Sequence, residues 1–221
     1  MTDASFPGFP PEAMGFLANL RDNNDREWFA AHRKTYDQAI KGPAEHLLAA
    51  LEPALADLTG RPVTGKIFRI HRDVRFSKDK RPYNAHLHIA FPARSGEMTA
   101  CGYFFGLEPE RVLVGAGGFD FSGPVLDAYR AAAADAKKGP ALEAILAGLE
   151  KAGLRIEGAE LKRVPQPYAR DHPRAALLRR KGLNAWRDIT DRKTVESEAL
   201  FAETIAAFTT LAPLVNWLAD L

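Results

Sequence analysis

The sequence is poor in cysteine and has no long apolar run. Cys101 is the single cysteine among 221 residues, so an internal disulfide is excluded and a reducing compartment is expected. No eighteen consecutive residues are apolar, and the first residues lack a basic start followed by an apolar core. We therefore expect neither a membrane span nor a signal peptide, and we expect a cytoplasmic protein with no membrane partner.

Several catalytic motifs are also missing. The sequence contains no phosphate-binding P-loop and no G-x-S-x-G nucleophile elbow. The run Gly115-Ala116-Gly117-Gly118 lacks the spacing of a dinucleotide fingerprint and is more typical of a tight turn after a strand. The sequence therefore leaves open whether the protein is an enzyme, which cofactor it takes and how many copies assemble.

The apolar pattern predicts an α+β fold. Helical spacing runs from about residue 12 to residue 60 and through most of the second half, and strict alternation lies between them. We predict one α+β domain over residues 1–221, with helices before and after a central antiparallel sheet and a Pro- and Gly-rich surface arm at 1–10. The predicted strands, with a turn at Pro92–Glu97, are Lys66–Arg72, Ala85–Phe91, Thr99–Leu107 and Arg111–Ala116.

Breaks and further elements follow from capping and turn residues. Asn24 with Glu27 three residues later predicts a capping box, and Gly42-Pro43 predicts a break between two helices. The stretch Leu154–Val164 predicts a hairpin, and Asp171 is expected to cap a short helix.

Positive charge is concentrated in two segments. Lys66–Arg81 holds seven Lys or Arg and two Asp, a charge of +5, and Lys162–Lys181 holds seven Lys or Arg and one Asp, a charge of +6. Because the whole chain carries +2, subtracting both segments leaves −9 for the rest. Two basic segments on an acidic body indicate local anion binding, and two unrelated solvated surfaces are the alternative.

The first basic segment carries a recognisable signature. From Arg69 to Tyr83 it reads RIHRDVRFSKDKRPY, which resembles the R-x-x-R-D-x-R-F, D-K, Tyr signature of an uncharacterised bacterial family catalogued as a domain of unknown function. The resemblance extends over most of the chain and implies a shared site without naming a reaction. The other similar stretches are Asn23-Asn24, Trp28-Phe29, Leu161-Lys162, Pro165, Tyr168, Asp171-His172-Pro173 and Lys181-Gly182.

Strand alternation predicts how the signature is arranged. If the strand persists, Arg69, Asp73 and Arg75 share one side, and Arg72 lies among inward-facing apolar residues. An inward Arg needs a carboxylate, which is Asp73 or another acid, and Asp73 could equally orient Arg69 or Arg75. Because the Arg fork suits phosphate or carboxylate, we predict a pocket for a small anionic ligand. Its expected members are Arg69, Arg72, Arg75 and Lys80, with Asp73 as orienting carboxylate and Tyr83 at the rim.

Asp73 and Tyr83 are also the candidate catalytic residues, since either can carry a proton. We further predict that the second basic segment converges on this loop and completes the anion-binding set. Its expected members are Lys162, Tyr168, His172 and Lys181. The alternative is an internal ion-pair network that holds the loop to the sheet.

Two other functions are compatible with the sequence. Non-specific nucleic-acid binding would need exposed aromatic residues beside the cations, whereas Phe68 and Phe76 are predicted to be buried, which favours a compact pocket. A Zn²⁺ site is the second alternative, because His86 and His88 share one side of a strand and His71 could approach from the next. The positive charge of Arg69, Arg72 and Arg75 opposes a cation there.

Overall fold

A computed structural model describes residues 5–93, 101–158 and 160–221. The chain divides into two compact units. The first contains the chain up to Phe91 together with Phe104–Val114 and Asp188–Ala206, and the second contains Pro92–Tyr103, Gly115–Arg187 and Ala207–Leu221. The single domain expected over residues 1–221 stays a prediction. The turn expected around Ser95-Gly96 lies outside the described residues.

A six-stranded antiparallel sheet is formed by the described residues. Its strands are β1 (Lys66–Ile67), β2 (Leu87–Pro92), β3 (Gly102–Leu107), β4 (Val112–Gly118), β5 (Arg155–Glu157) and β6 (Leu183–Ile189). They are hydrogen-bonded in the order β1-β2-β3-β4-β6-β5. Lys66 lies opposite Ala90 in the first pair, and Arg155 lies opposite Trp186 in the last. The predicted α+β class with an antiparallel sheet is confirmed.

The N-terminal helices differ from prediction at their boundaries. They are α1 (Glu12–Asp22), α2 (Arg26–Ala31), α3 (Arg33–Tyr36), a π-helical turn (Asp37–Lys41) and α4 (Gly42–Thr59). Asp25, not Asn24, caps α2, because its carboxylate accepts the Trp28 N–H at 2.8 Å. Gly42-Pro43 does not break the helical run. Pro43 lies in the first turn of α4, where a missing N–H costs no hydrogen bond.

The segment before α1 belongs to the core of the first unit. Phe6 and Phe9 are each 1% exposed. Phe9 stacks on Phe105 with ring centroids 6.1 Å apart, and its N–H donates to the Val195 carbonyl. The expected surface arm is therefore corrected over residues 5–10, because burial of two aromatic rings holds this segment in place. Residues 1–4 lie outside the described part.

The helices of the second half are α5 (Gly123–Ala134), α6 (Lys138–Lys151), α7 (Ala175–Arg179), α8 (Arg192–Val195) and α9 (Ala199–Ala219). The hairpin predicted at Leu154–Val164 is one strand, β5, which pairs with β6. The predicted helix after Asp171 begins only at Ala175. There, the Arg174 guanidinium donates to the carbonyls of Ala133, Ala134 and Asp135 at the end of α5.

One helix among the described residues, α9, is long and apolar enough to cross a membrane by length and composition. The same criterion is met by the core helices of soluble proteins, and Leu200, Phe208, Leu211 and Leu214 on α9 are buried. The expected absence of a membrane span stays a prediction.

Candidate functional site

The first basic segment forms an irregular hairpin within the first unit. The Phe68 N–H still bonds to the His88 carbonyl at 2.9 Å, but β1 itself ends at Ile67, which shortens the strand predicted to reach Arg72. Farther on, residues 69–72 run antiparallel to residues 81–84. The Arg72 N–H donates to the Pro82 carbonyl at 2.8 Å, and His71 bridges to Tyr83. We call the connection between these arms, residues 73–80, the basic loop.

Asn24 holds one arm of this hairpin. Its side-chain oxygen accepts the Tyr83 N–H at 3.0 Å, and its side-chain nitrogen donates to the Tyr83 carbonyl at 3.0 Å. The amide therefore mimics a strand partner and satisfies both backbone groups of a buried residue. This use of Asn24 explains why the capping role falls to Asp25.

Arg72 is fixed by the carboxylate of Asp79. Its Nη1 donates to Asp79 Oδ2 at 2.8 Å and to the Arg81 carbonyl at 3.0 Å. Asp79 also accepts from the Arg81 guanidinium, which, with a smaller contribution from Arg72, holds the pKa of Asp79 well below its usual range. The carboxylate that pairs with Arg72 is therefore Asp79 and not the adjacent Asp73. The chain turns between residues 72 and 79, and the turn brings the two side chains together.

Asp73 instead orients Arg75. Its carboxylate accepts from Arg75 Nε at 3.0 Å and from Nη2 at 2.6 Å, which holds the pKa of Asp73 below its ordinary value. The Arg75 side chain is 77% exposed. Lys80 is also engaged within the basic loop, since its Nζ donates to the carbonyls of Val74 and Arg75.

The prediction that Phe68 and Phe76 are buried is wrong. Phe76 is 96% exposed and Phe68 is 44% exposed. Alternation places Phe76 on the inward side of the strand, but the Ser77 N–H bonds to the Val74 carbonyl and turns the chain. Beyond such a turn, side chains no longer alternate between the two faces of a strand. Arg75 lies 5.9 Å from the Phe76 ring centroid, so an aromatic residue and a cation are presented together.

An open cavity of about 320 Å³ lies beside the hairpin. We call it the histidine cavity, because it is lined by three of the six histidines in the sequence. Its described lining is Phe68, Arg69, His71, Arg72, Asp73, Asn84, His86 and His88. The structure thus brings the predicted Arg69, Arg72 and Asp73 together. Neither Arg75 nor Lys80, both described residues, is part of the lining.

His86 and His88 form an aromatic wall of the cavity. The His86 and His88 rings stack with centroids 4.0 Å apart. Loss of hydration lowers the pKa of His88 to about 4, and His86 adds to that shift. Loss of hydration also lowers the pKa of His86, where Glu108 opposes the shift and Arg72 adds to it. Both shifts favour the uncharged imidazole at pH 7, and Arg69 and Arg72 carry fixed positive charge in the cavity.

A metal centre receives no support from this geometry. Among the residues the structure describes, no group of three or more His, Cys, Asp or Glu side chains could hold a metal ion. His71, His86 and His88 do line one cavity, as the alternation predicted. Stacked imidazole rings, however, direct their nitrogen lone pairs side by side and not at one point, and Arg69 and Arg72 repel a cation.

A second cavity, of about 460 Å³, shares Arg72, Asn84 and His86 with the first. Tyr83 is part of its lining and is 7% exposed, stacked on Phe29 at 4.2 Å. The charges here are balanced. The arginines in its lining are Arg21, Arg72 and Arg81, and the acids are Asp79, Glu108 and Glu110. The histidine cavity has two arginines and one acid, so it is the better place for an anion.

The second basic segment belongs to the second unit. Of its four predicted anion-binding residues, His172 accepts the Arg174 N–H through Nδ1, and Lys181 lies 3.9 Å from the Asp120 carboxylate. Lys162 is exposed and Tyr168 is half-buried. The predicted convergence of these residues on the Arg69–Tyr83 loop stays a prediction.

Sequence reasoning missed two residues of the site, Asn84 and Asn24. Asn84 lines both cavities and donates to the Arg69 carbonyl at 3.3 Å. Its position directly after Tyr83 was an available signal, because an amide beside a strand end often bonds to backbone. Asn24 belongs to a stretch that resembles the family, but its contact with Tyr83 had no local signal, since the two residues lie 59 positions apart.

The chain matches the family described as "Conserved hypothetical protein (DUF2461)" over residues 12–217. The chain belongs to this family. The match contains every residue of the histidine cavity and both basic segments, which confirms the resemblance to a family of unknown function. No curated protein matches the chain.

Proposed function

We propose that the histidine cavity binds a small anionic molecule through phosphate or carboxylate. The observation that carries this proposal is the state of Arg69. Within residues 5–93, 101–158 and 160–221 its guanidinium has no hydrogen-bond partner. Its positive charge lowers the pKa of Asp73 by electrostatic attraction, without a hydrogen bond. A guanidinium has five N–H donors in a fixed fork, which matches two oxygens of one anion.

Arg72 supports the same proposal. Asp79 and the Arg81 carbonyl are bound through Nη1, so Nε and Nη2 remain as donors within the described part of the chain. The Asp79 carboxylate also fixes the orientation of the guanidinium before any ligand arrives. A donor that is already oriented loses less conformational entropy on binding.

The experiment is a thermal-shift series with inorganic phosphate, phosphosugars and nucleotides. A bound anion stabilises the folded state by mass action, by roughly 2.7 kcal/mol at a hundredfold excess over its dissociation constant. Arg69→Ala is expected to abolish the shift. Arg33→Ala is the matched control, because Arg33 pairs with Asp37 at 3.0 Å and neither residue lines the cavity; it is expected to keep the shift. Absence of any shift in the unsubstituted protein would refute the proposal and favour an internal ion-pair network.

A second candidate function, non-specific binding of single-stranded nucleic acid, is favoured by the exposure of Phe76. A fully exposed aromatic ring on a basic loop can stack on a base while neighbouring cations meet phosphates. The Lys80 Nζ donates hydrogen bonds to the Val74 and Arg75 carbonyls, which hold the backbone just before Phe76.

This candidate is tested by fluorescence anisotropy with a labelled single-stranded oligonucleotide at low and high salt. Phe76→Ala is expected to weaken binding by about tenfold, the loss of one stacked base. Phe119→Ala, which removes another exposed ring beside Asp120, should leave binding unchanged. Equal affinities for Phe76→Ala and the unsubstituted protein would reject the candidate.

A further inference from the structure

The lining of the histidine cavity is more than an anion site. Phe68 is 44% exposed and contributes an aromatic side chain to the cavity. His86 and His88, which stack on each other, add two flat aromatic rings. Simple phosphate or a carboxylate would use Arg69 and Arg72 and leave these three rings without a ligand contact. Aromatic rings beside two arginines fit a ligand that has a flat ring and an anionic group.

We propose that the ligand is a nucleoside monophosphate, with its phosphate on Arg69 and Arg72 and its base against the aromatic lining. This inference rests on the proposed anion site and names its ligand class. Base stacking on aromatic side chains is worth about 1–3 kcal/mol per base in nucleic-acid-binding proteins, which corresponds to about a 5- to 150-fold change in affinity.

Size and polar groups agree with that class. The cavity of about 320 Å³ lies at the small end of ligand pockets, a size that suits a single nucleotide. Asn84 uses one side-chain N–H on the Arg69 carbonyl. Its oxygen and second N–H remain as an acceptor and a donor in the described structure, a pair that can bond to the edge of a base.

The neutral state of the histidines matters for the same reason. Two imidazolium ions beside Arg69 and Arg72 would favour small, highly charged anions over nucleotides. The low pKa of His88, set by loss of hydration and by His86, favours the uncharged form of this ring at pH 7. A neutral imidazole stacks on a base without adding charge repulsion between cations.

The test is calorimetric titration of the full chain with AMP, ribose 5-phosphate, adenosine and inorganic phosphate. AMP is expected to bind about tenfold more tightly than ribose 5-phosphate. Phe68→Ala should remove that preference and leave the affinity for ribose 5-phosphate unchanged. Phe68→Leu keeps an apolar side chain without a flat ring, and it should also lose the preference. Phe76→Ala, which removes a ring outside the cavity, should keep it.

The outcomes separate the two proposals. Equal affinities for AMP and ribose 5-phosphate in the unsubstituted protein would overturn the nucleotide assignment and leave the anion site standing. Binding of neither compound, with no heat from phosphate, would overturn both. Loss of the AMP preference in Phe76→Ala but not in Phe68→Ala would move base recognition to the basic loop and refute the assignment to the cavity.

Discussion

Arg72 and Asp79 form the polar centre of the hairpin. The Arg72 side chain is 25% exposed and its carboxylate partner 37% exposed, and they are joined at 2.8 Å. Arg81 shares the same carboxylate. Asp73 and Arg75 make an ion pair that is far more exposed. Since solvent screens exposed ion pairs, the two aspartates of the signature are expected to differ in structural importance.

Substitution of these aspartates gives a direct prediction. Asp79→Asn should lower the melting temperature, because it leaves Arg72 half-buried without its charge partner. Asp73→Asn, the matched control at an exposed pair, should have the smaller effect. Thermal unfolding followed by circular dichroism measures both. Equal losses would contradict the division of roles between Asp79 and Asp73.

The sequence could predict that Arg72 needs a carboxylate partner, but not which aspartate it takes. That Arg72 needs a carboxylate follows from the cost of an unpaired charge near apolar residues. Which carboxylate it takes depends on the path of the basic loop, where Ser77 bonds back to Val74 and ends the strand alternation. The same turn exposes Phe76, so a single local bond accounts for both corrections.

At the scale of elements, Asn24 links the start of α2 to the hairpin. Its side chain makes two hydrogen bonds with the Tyr83 backbone. Tyr83 in turn lies opposite His71, a residue of the histidine cavity. The position of this arm, and with it Asn84, therefore depends on an amide far away in sequence.

Asn24→Ala should destabilise the fold by about 1–3 kcal/mol, because two backbone groups of a buried residue lose their partner. Chemical denaturation gives this free energy of unfolding. Asn23→Ala is the control, since among the described residues the Asn23 side chain bonds only to the Asn19 carbonyl of the helix that it follows; it should cost less. A loss at Asn24 no larger than that at Asn23 would exclude the clamp.

The sheet shows why pattern arguments succeed for elements and fail at their ends. Alternation locates β2 to within two residues at its start, because Leu87, Ile89 and Phe91 are buried on one side. The alternation around Phe68 is also present, but the regular pairing with β2 covers Lys66 and Ile67 alone. Beyond them, hydrogen bonds come from Asn84 and Pro82, and those partners are set by tertiary structure.

At the scale of the whole molecule, the histidine cavity links stability to pH. The pKa of His88 is about 4 in the folded protein, below the ordinary value of 6.5, and the pKa of His86 is also lowered. Between these values the unfolded chain binds protons that the folded chain does not. The contribution of the neutral His88 to the free energy of unfolding is therefore fully present above about pH 6.5, and it is lost as the pH falls toward 4.

The aspartates cause a second loss of stability, at lower pH. Because the pKa values of Asp73 and Asp79 are lowered by their arginine partners, the stability that they contribute persists down to about pH 4, their ordinary value, and declines below it. The two groups of residues therefore act in different pH ranges and can be separated in one titration of stability against pH.

We predict that the free energy of unfolding falls between about pH 6.5 and 4 and that His88→Gln makes this fall shallower. Denaturation at about pH 8, where the imidazole is neutral in both states, gives the baseline for the variant. If the cavity binds anions, sulfate should restore more stability at about pH 5 than at about pH 8, because a bound anion favours the protonated rings. An identical pH dependence with and without His88 would show that this imidazole does not set the acid stability of the protein.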